Sequence, residues 1–249
     1  MHYRWIGSLF VLLAALASVH ADDRKEIDRV IDKAIEAAGG KQKLAEIKAE
    51  VWKSRVTIHD HDGVSEVVGE YAQQKPDRYR EETTTERNGK RSKQIIVVNG
   101  SECWINKNGE TRMMDPHLLA DKRESNFGIA VANDPTSLRN SDLTLSLLGK
   151  SKLGDKELIG IRVVSKAYCT VDVFFDERSG LTAKTVMHRR DGGKEVPIET
   201  LYDYPHDASG VVLPHKATTL RDGKAIAEHE LLEFRTYTTP LDDSFFSRP

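Results

Sequence analysis

The stretch Trp52–Gly63, WKSRVTIHDHDG, decides the fold. Trp52, Ser54, Val56 and Ile58 alternate with Lys53, Arg55, Thr57 and His59, so one face is largely apolar and the other wet. That period of two belongs to a β-strand. Asp60 to Gly63 then supply turn chemistry, and Val64–Gln74 reads as the return strand. Pro76-Asp77 makes another turn before a threonine-rich strand over Arg78–Arg87. Asn88-Gly89, Asn99-Gly100 and Asn108-Gly109 are hairpin signals separating strands over Ser92–Val98, Glu102–Asn106 and Glu110–Met114. This half of the chain is an antiparallel meander.

Upstream the period is helical. Ile27, Val30, Ile31, Ala34, Ile35 and Ala38 form one stripe. Asp23 and Glu26 offer a capping box, and Gly39-Gly40 an end. A short second helix is predicted over Lys41–Ile47. Downstream, Asp115-Pro116 opens a helix over His117–Glu124. The stretch Asp134–Leu148 reads as helix or loop that interrupts the sheet. Strands resume over Lys156–Ser165, Cys169–Asp176, Leu181–Arg189, Val196–Tyr204, Leu213–Arg221 and Lys224–Tyr237. Strands not separated by helices disfavour a parallel α/β fold. A sheet this wide must curl. The predicted class is mainly β with helices (α+β). It is an unclosed antiparallel β-barrel of about eleven strands, with the N-terminal helix and the central helical insertion as plug.

Residues 1–21 read as a secretory signal, with Arg4 before an apolar run and Val19-His20-Ala21 at a cleavage site. The run Ile6–Val19 is shorter than the roughly 20 residues needed to span a bilayer. The expected product is a single domain, 22–249, exported to the periplasm or cell envelope and not membrane-spanning. Its first residue is Asp22, not a lipid-modified cysteine. A formal net charge of −2 with interspersed signs lacks the basic stripe of a nucleic-acid binder. Cys103 and Cys169 sit in strand-like runs. Export permits a disulfide between them, and two buried thiols fit the residues equally.

Three wordings carry a resemblance. They are Val173-Phe174-Phe175-Asp176 with Ser179-Gly180-Leu181, then Tyr202-Asp203-Tyr204 with Gly210-Val211-Val212-Leu213-Pro214, and the tail Leu241–Pro249. Together with Ala37-Ala38-Gly39-Gly40 they resemble the LolA/LolB-like superfamily of outer-membrane lipoprotein-sorting proteins. The resemblance implies an unclosed barrel with a helical lid and an apolar cavity that holds acyl chains in the carriers. It implies no cofactor and no catalytic residues.

The run His59-Asp60-His61-Asp62 contains metal-ligand types. Asp and Gly belong in that turn for backbone reasons, and adjacent strand residues point to opposite faces, so no metal site is assigned. His229-Glu230 lacks the second histidine of a zinc-protease motif. The residues expected to line an apolar cup are Trp52, Val56, Ile58, Val67, Tyr71, Tyr79, Val97, Trp104 and Met113 from strands, Leu118 and Leu119 from the insertion, and Ile31 and Ile35 from the first helix. The expected function is non-enzymatic, with no cofactor: binding of a lipid or the acyl chain of an acylated protein. The alternative is a structural or interaction module of the envelope, with a filled core and a protein partner.

Overall fold

The computed structural model describes residues 7–191, 193–205 and 210–249, with side chains for 22–190, 193–205 and 210–249. The expected signal segment, residues 1–21, therefore lies outside the described side chains. Three helices, α1 (Gly7–Ala37), α2 (Lys41–Glu46) and α3 (Pro116–Asn133), accompany thirteen strands. The first group is β1 (Ala49–Asp60), β2 (Gly63–Gln74), β3 (Arg78–Arg87), β4 (Lys90–Asn99), β5 (Glu102–Lys107) and β6 (Glu110–Met113). After α3 come a 3₁₀ turn (Pro135–Arg139), β7 (Leu143–Leu153), β8 (Lys156–Ser165), β9 (Thr170–Asp176) and β10 (Thr182–Asp191). Then follow β11 (Lys194–Asp203), β12 (Lys216–Arg221), β13 (Lys224–Tyr237) and a second 3₁₀ turn (Asp243–Phe246).

All thirteen strands form one antiparallel sheet in the order β6-β5-β4-β3-β2-β1-β13-β12-β11-β10-β9-β8-β7. The chain enters at the middle of the sheet and leaves there, because β1 pairs with β13. Its two edges, β6 and β7, are neighbours in sequence, and α3 joins them. The insertion therefore lies between the two edges of one continuous sheet, which it does not divide.

Two expectations need correction. Residues 143–153 are a strand, not helix or loop. Leu143, Leu145 and Leu147 pair with Ser165, Val163 and Ile161, and a register shift before Gly149 masks the alternation in the sequence. Asp23 does not start α1, which runs unbroken from Gly7. The alanines and leucines upstream are good helix formers and continue the helix.

The larger core packs α1 on β8 and β9. Ile27, Val30, Ile31, Ala34 and Ile35 meet Ile159, Ile161, Val163, Val171, Val173 and Phe175, with Val131 of α3 and Leu138 closing it. This defines the inner face of the sheet. The wordings singled out above fix this joint. Asp176 Oδ1 accepts from the Arg178 and Ser179 amides at 2.8 and 2.7 Å, shaping a turn that ends in Gly180. Gly180 has φ +81°, and a Cβ there would stand 3.0 Å from Lys33 O on α1. Gly39 lies against the Gly210 carbonyl, where a Cβ would stand 2.7 Å away, and Val212 N donates to Ala38 O at 3.0 Å.

The outer face has two features. Over β8–β11, Arg162 grips Asp172 with two bonds of 2.7 and 2.8 Å, and His188 bridges Asp172 and Glu195, both at 2.9 Å. Burial opposes the charge on His188, but the two carboxylates outweigh it and raise its pKa above 6.5. Burial likewise opposes the Asp172 carboxylate, and Arg162 and His188 outweigh it, lowering its pKa. The His188 contribution is then complete below the unfolded value and is lost as pH rises through the raised folded value. The Asp172 contribution is present above 3.8 and is lost as pH falls through its lowered value. We expect the urea midpoint of the wild type to fall relative to His188→Gln between about pH 6 and pH 8.5. Parallel curves would refute the assignment.

The second outer feature is a strap. Beyond β13 the tail crosses β2–β6, with Leu241 N donating to Gln74 Oε1 at 2.8 Å and Thr111 Oγ1 to the Pro249 carbonyl at 2.6 Å. Asp242 caps the final 3₁₀ turn by accepting from Ser244 N, and Phe246 is fully buried against Ala72 and Val97.

Candidate functional site

The half of the inner face away from α1 holds a separate cluster. Register puts Trp52 opposite Tyr71, and their rings stack with centroids 5.2 Å apart. Tyr79 tilts against Trp52 at 6.4 Å. Ile96, Val98, Cys103, Ile105 and Met114 complete the cluster, with Leu119 of α3 at its edge.

A buried carboxylate sits in this apolar ground. Glu81 is 7% exposed, accepts from Tyr79 Oη at 2.8 Å and pairs with Lys122 Nζ of α3. The Lys122 ammonium also lies 4.8 Å from the Tyr79 ring centroid, a cation–π contact. Burial, with the Glu81 carboxylate beside it, pushes the Tyr79 hydroxyl pKa well up.

Two residues along α3, Glu124 points to the other wall. Its carboxylate accepts from the Cys169 backbone amide at 3.1 Å and from Arg189 Nε at 3.2 Å. Residues two apart on a helix project in nearly opposite directions. The same turn of α3 is thereby tied to β3 on one side and, on the other, to β10 and the residue that precedes β9. Near its end Thr182 Oγ1 donates to the Ala132 carbonyl at 2.8 Å. Apolar packing of α3 is thin: of its eighteen residues only Gly128, Val131 and Ala132 are buried, while Leu118 and Ile129 are exposed.

The expected lining residues divide. Trp52, Tyr71 and Tyr79 come together, with Leu119 against them. Val56, Ile58 and Val67 share their face and are half-buried. Ile31 and Ile35 belong to the α1 core instead. Val97, Trp104 and Met113 lie on the outer face, because Tyr79 pairs with Val98 and Val97 pairs with Trp104. Met113 and Leu118 are exposed. Reading the residues one by one missed Ile96 and Val98, Glu81, Lys122 and Glu124. Glu81 alternates with Tyr79 and Thr83, and that pattern was the one available signal for it.

Both thiols are free. Cys103 lies in the aromatic cluster, 3.5 Å from the Met114 sulfur. Cys169 packs beside the α1 core, where burial and then Glu124 push its thiol pKa up to about 12. Asp60, His61 and Asp62 bring ligand atoms within 4.8 Å of one another on the exposed surface, and Arg87 pairs with Asp60 and Asp62. Two pockets beside α1 hold about 50 and 10 Å³. Small-molecule sites span about 300–1,000 Å³. Both pockets are far smaller than that.

No protein-family model matches the sequence, and no curated protein is similar to it. Solved structures match the fold. A lipoprotein-sorting protein domain from Vibrio parahaemolyticus superposes with TM-score 0.55 at 11% identity, covering 86% of this chain and 97% of that one. A LolA superfamily protein from Nitrosomonas europaea gives 0.53 at 12%, with the same coverage. A DUF1329 family protein from Desulfovibrio piger gives 0.57 at 10%, covering 89% and 97%. The chain has the LolA-like fold: a wide, unclosed antiparallel sheet with an N-terminal and a central helix.

Proposed function

We propose that this chain is an exported carrier that shelters an apolar chain, of a lipid or an acylated protein, between α3 and the aromatic half of the inner face. The signal-like residues 1–21 support export, and no helix among the described residues is long and apolar enough to cross a membrane. One observation carries the reading. The plug α3 is held to both walls by ion pairs at its middle turn and by little buried apolar surface. Elements that move are drawn from such weakly packed parts of a fold. Swinging α3 aside would expose Trp52, Tyr71 and Tyr79, and each CH₂ then buried is worth about 0.8 kcal/mol.

The expected result is a stoichiometric acyl-bearing molecule in solvent extracts of natively purified protein beginning at Asp22. Adding lipid should also change limited proteolysis within residues 116–133. Neither effect, together with no uptake of a fluorescent fatty acid, would refute the carrier reading. The small volume of the two pockets beside α1 favours one alternative, an envelope interaction module with a filled core. It predicts a protein partner in a pull-down and no lipid.

A further inference from the structure

Glycine follows asparagine at three hairpin ends in the first half of the sheet: Asn88-Gly89, Asn99-Gly100 and Asn108-Gly109. This dipeptide carries a chemistry of its own. The backbone nitrogen of the glycine can attack the side-chain carbonyl carbon of the asparagine, because no Cβ on the glycine obstructs the approach. The reaction needs a side chain free to turn and a glycine N–H that no acceptor holds. The three turns differ in both respects.

At Asn108 both groups are held. Its Oδ1 accepts from the Lys93 amide at 3.0 Å, and Gly109 N donates to Asn106 Oδ1 at 3.0 Å. At Asn99 the C-terminal strap supplies the first restraint. Asn99 Nδ2 donates to the Phe246 carbonyl at 3.4 Å, and Gly100 N donates to the Asp77 carbonyl at 3.3 Å. Asn99 and Gly100 are also half-buried.

Asn88-Gly89 has neither restraint. It closes the two-residue turn between β3 and β4, where Arg87 pairs with Lys90 and both turn residues have positive φ, +49° and +72°. Such a turn favours Asn-Gly for backbone reasons alone. Both residues are exposed, and neither the Asn88 side chain nor the Gly89 N–H has a hydrogen-bond partner among the described residues. A Cβ placed on Gly89 would meet nothing within 4 Å, so the space around the nucleophile is open.

We propose that Asn88 is a site of self-modification. Gly89 N bonds to the Asn88 side-chain carbonyl carbon, the Cγ–Nδ2 bond breaks, and the Gly89 amide proton leaves with Nδ2 as ammonia. The product is a cyclic imide. Water then opens it at one carbonyl to give aspartate, or at the other to give isoaspartate, in which the chain runs through Cβ and Cγ. Either product adds a negative charge beside Arg87, whose guanidinium already pairs with Asp60 and Asp62 of the neighbouring turn. The isoaspartate form also lengthens the backbone of a turn whose length sets the register of β3 on β4.

Peptide mapping of the chain beginning at Asp22 tests this. One sample is kept folded in warm, mildly alkaline buffer, and a second is kept in concentrated urea. Two hydrogen bonds of ordinary net strength slow a step that must break them by about thirty-fold. In the folded protein Asn88 should therefore convert at least about ten-fold faster than Asn99 or Asn108. In urea the native hydrogen bonds are gone, and the three rates should agree within about two-fold. Asn88→Gln, whose longer side chain disfavours the ring, should remove the acidic species that ion exchange resolves from the aged folded protein. Equal rates at the three sites in the folded protein overturn the assignment. So does a folded protein in which Asn88 stays intact while the same residue converts in urea.

Discussion

Replacing Phe246 with alanine is expected to lower the free energy of unfolding by about 3–5 kcal/mol. The residue is three positions before the last, Pro249, and terminal residues ordinarily tolerate change. Here its ring is completely buried against Ala72 and Val97, with Val51, Ile95, Trp104 and Leu241 around it. Arg78 lies over the ring at 5.9 Å and pairs with Asp243 at 2.5 Å, and Asn99 Nδ2 donates to the Phe246 carbonyl at 3.4 Å. Removing the ring leaves a cavity that the sheet below cannot fill by collapse. The outer face of β2–β5 would also become wet. Set against a typical total of about 5–15 kcal/mol, the loss should shift the urea midpoint strongly. Phe246→Leu should recover most of it. A loss under about 1 kcal/mol for the alanine variant would mean that the strap lifts freely from the sheet.

Lys122→Ala should have a comparable effect by a different route. It leaves Glu81 buried beside Tyr79 with no counter-charge. Breaking such a pair costs about 3–5 kcal/mol, and the 22% exposure of the Lys122 side chain places the expectation near the lower end. The double substitution Glu81→Gln with Lys122→Met should be much milder, because no charge is stranded. The functional readout separates this latch from a simple core defect. Freed from β3, α3 should be cleaved faster by protease and should admit a fluorescent fatty acid sooner. Equal cleavage of the wild type and Lys122→Ala within residues 116–133 would show that the pair does not hold the plug.

The two substitutions also mark how far the sequence could be read. Phe246 falls in a tail whose wording resembles that of a family, and the structure shows what the wording does here: Asp242 caps the turn and Phe246 anchors it. Lys122 gave no such signal, since a lysine on a helix is ordinarily solvated. Its partner is 41 residues away in sequence, and only the crossing of α3 between the sheet edges brings them together.

The sequence by itself determined every strand but β7, the turns and the antiparallel class. These depend on local chemistry: Asn88, Asn108 and Asp222 adopt positive φ next to glycine, and the side-chain period is two. Tertiary structure alone decided which face of β4 points inward. Ile95-Ile96-Val97-Val98 is apolar at four positions running, because α3 and its neighbours meet one face while the C-terminal strap covers the other. Alternation cannot choose a face when both are buried. The register Tyr79↔Val98 chose it, moving Ile96 and Val98 to the site and Val97 and Trp104 away from it. Strand β7 was likewise settled by its pairing with β8, since a register shift at Gly149 breaks the period on which a sequence reading depends.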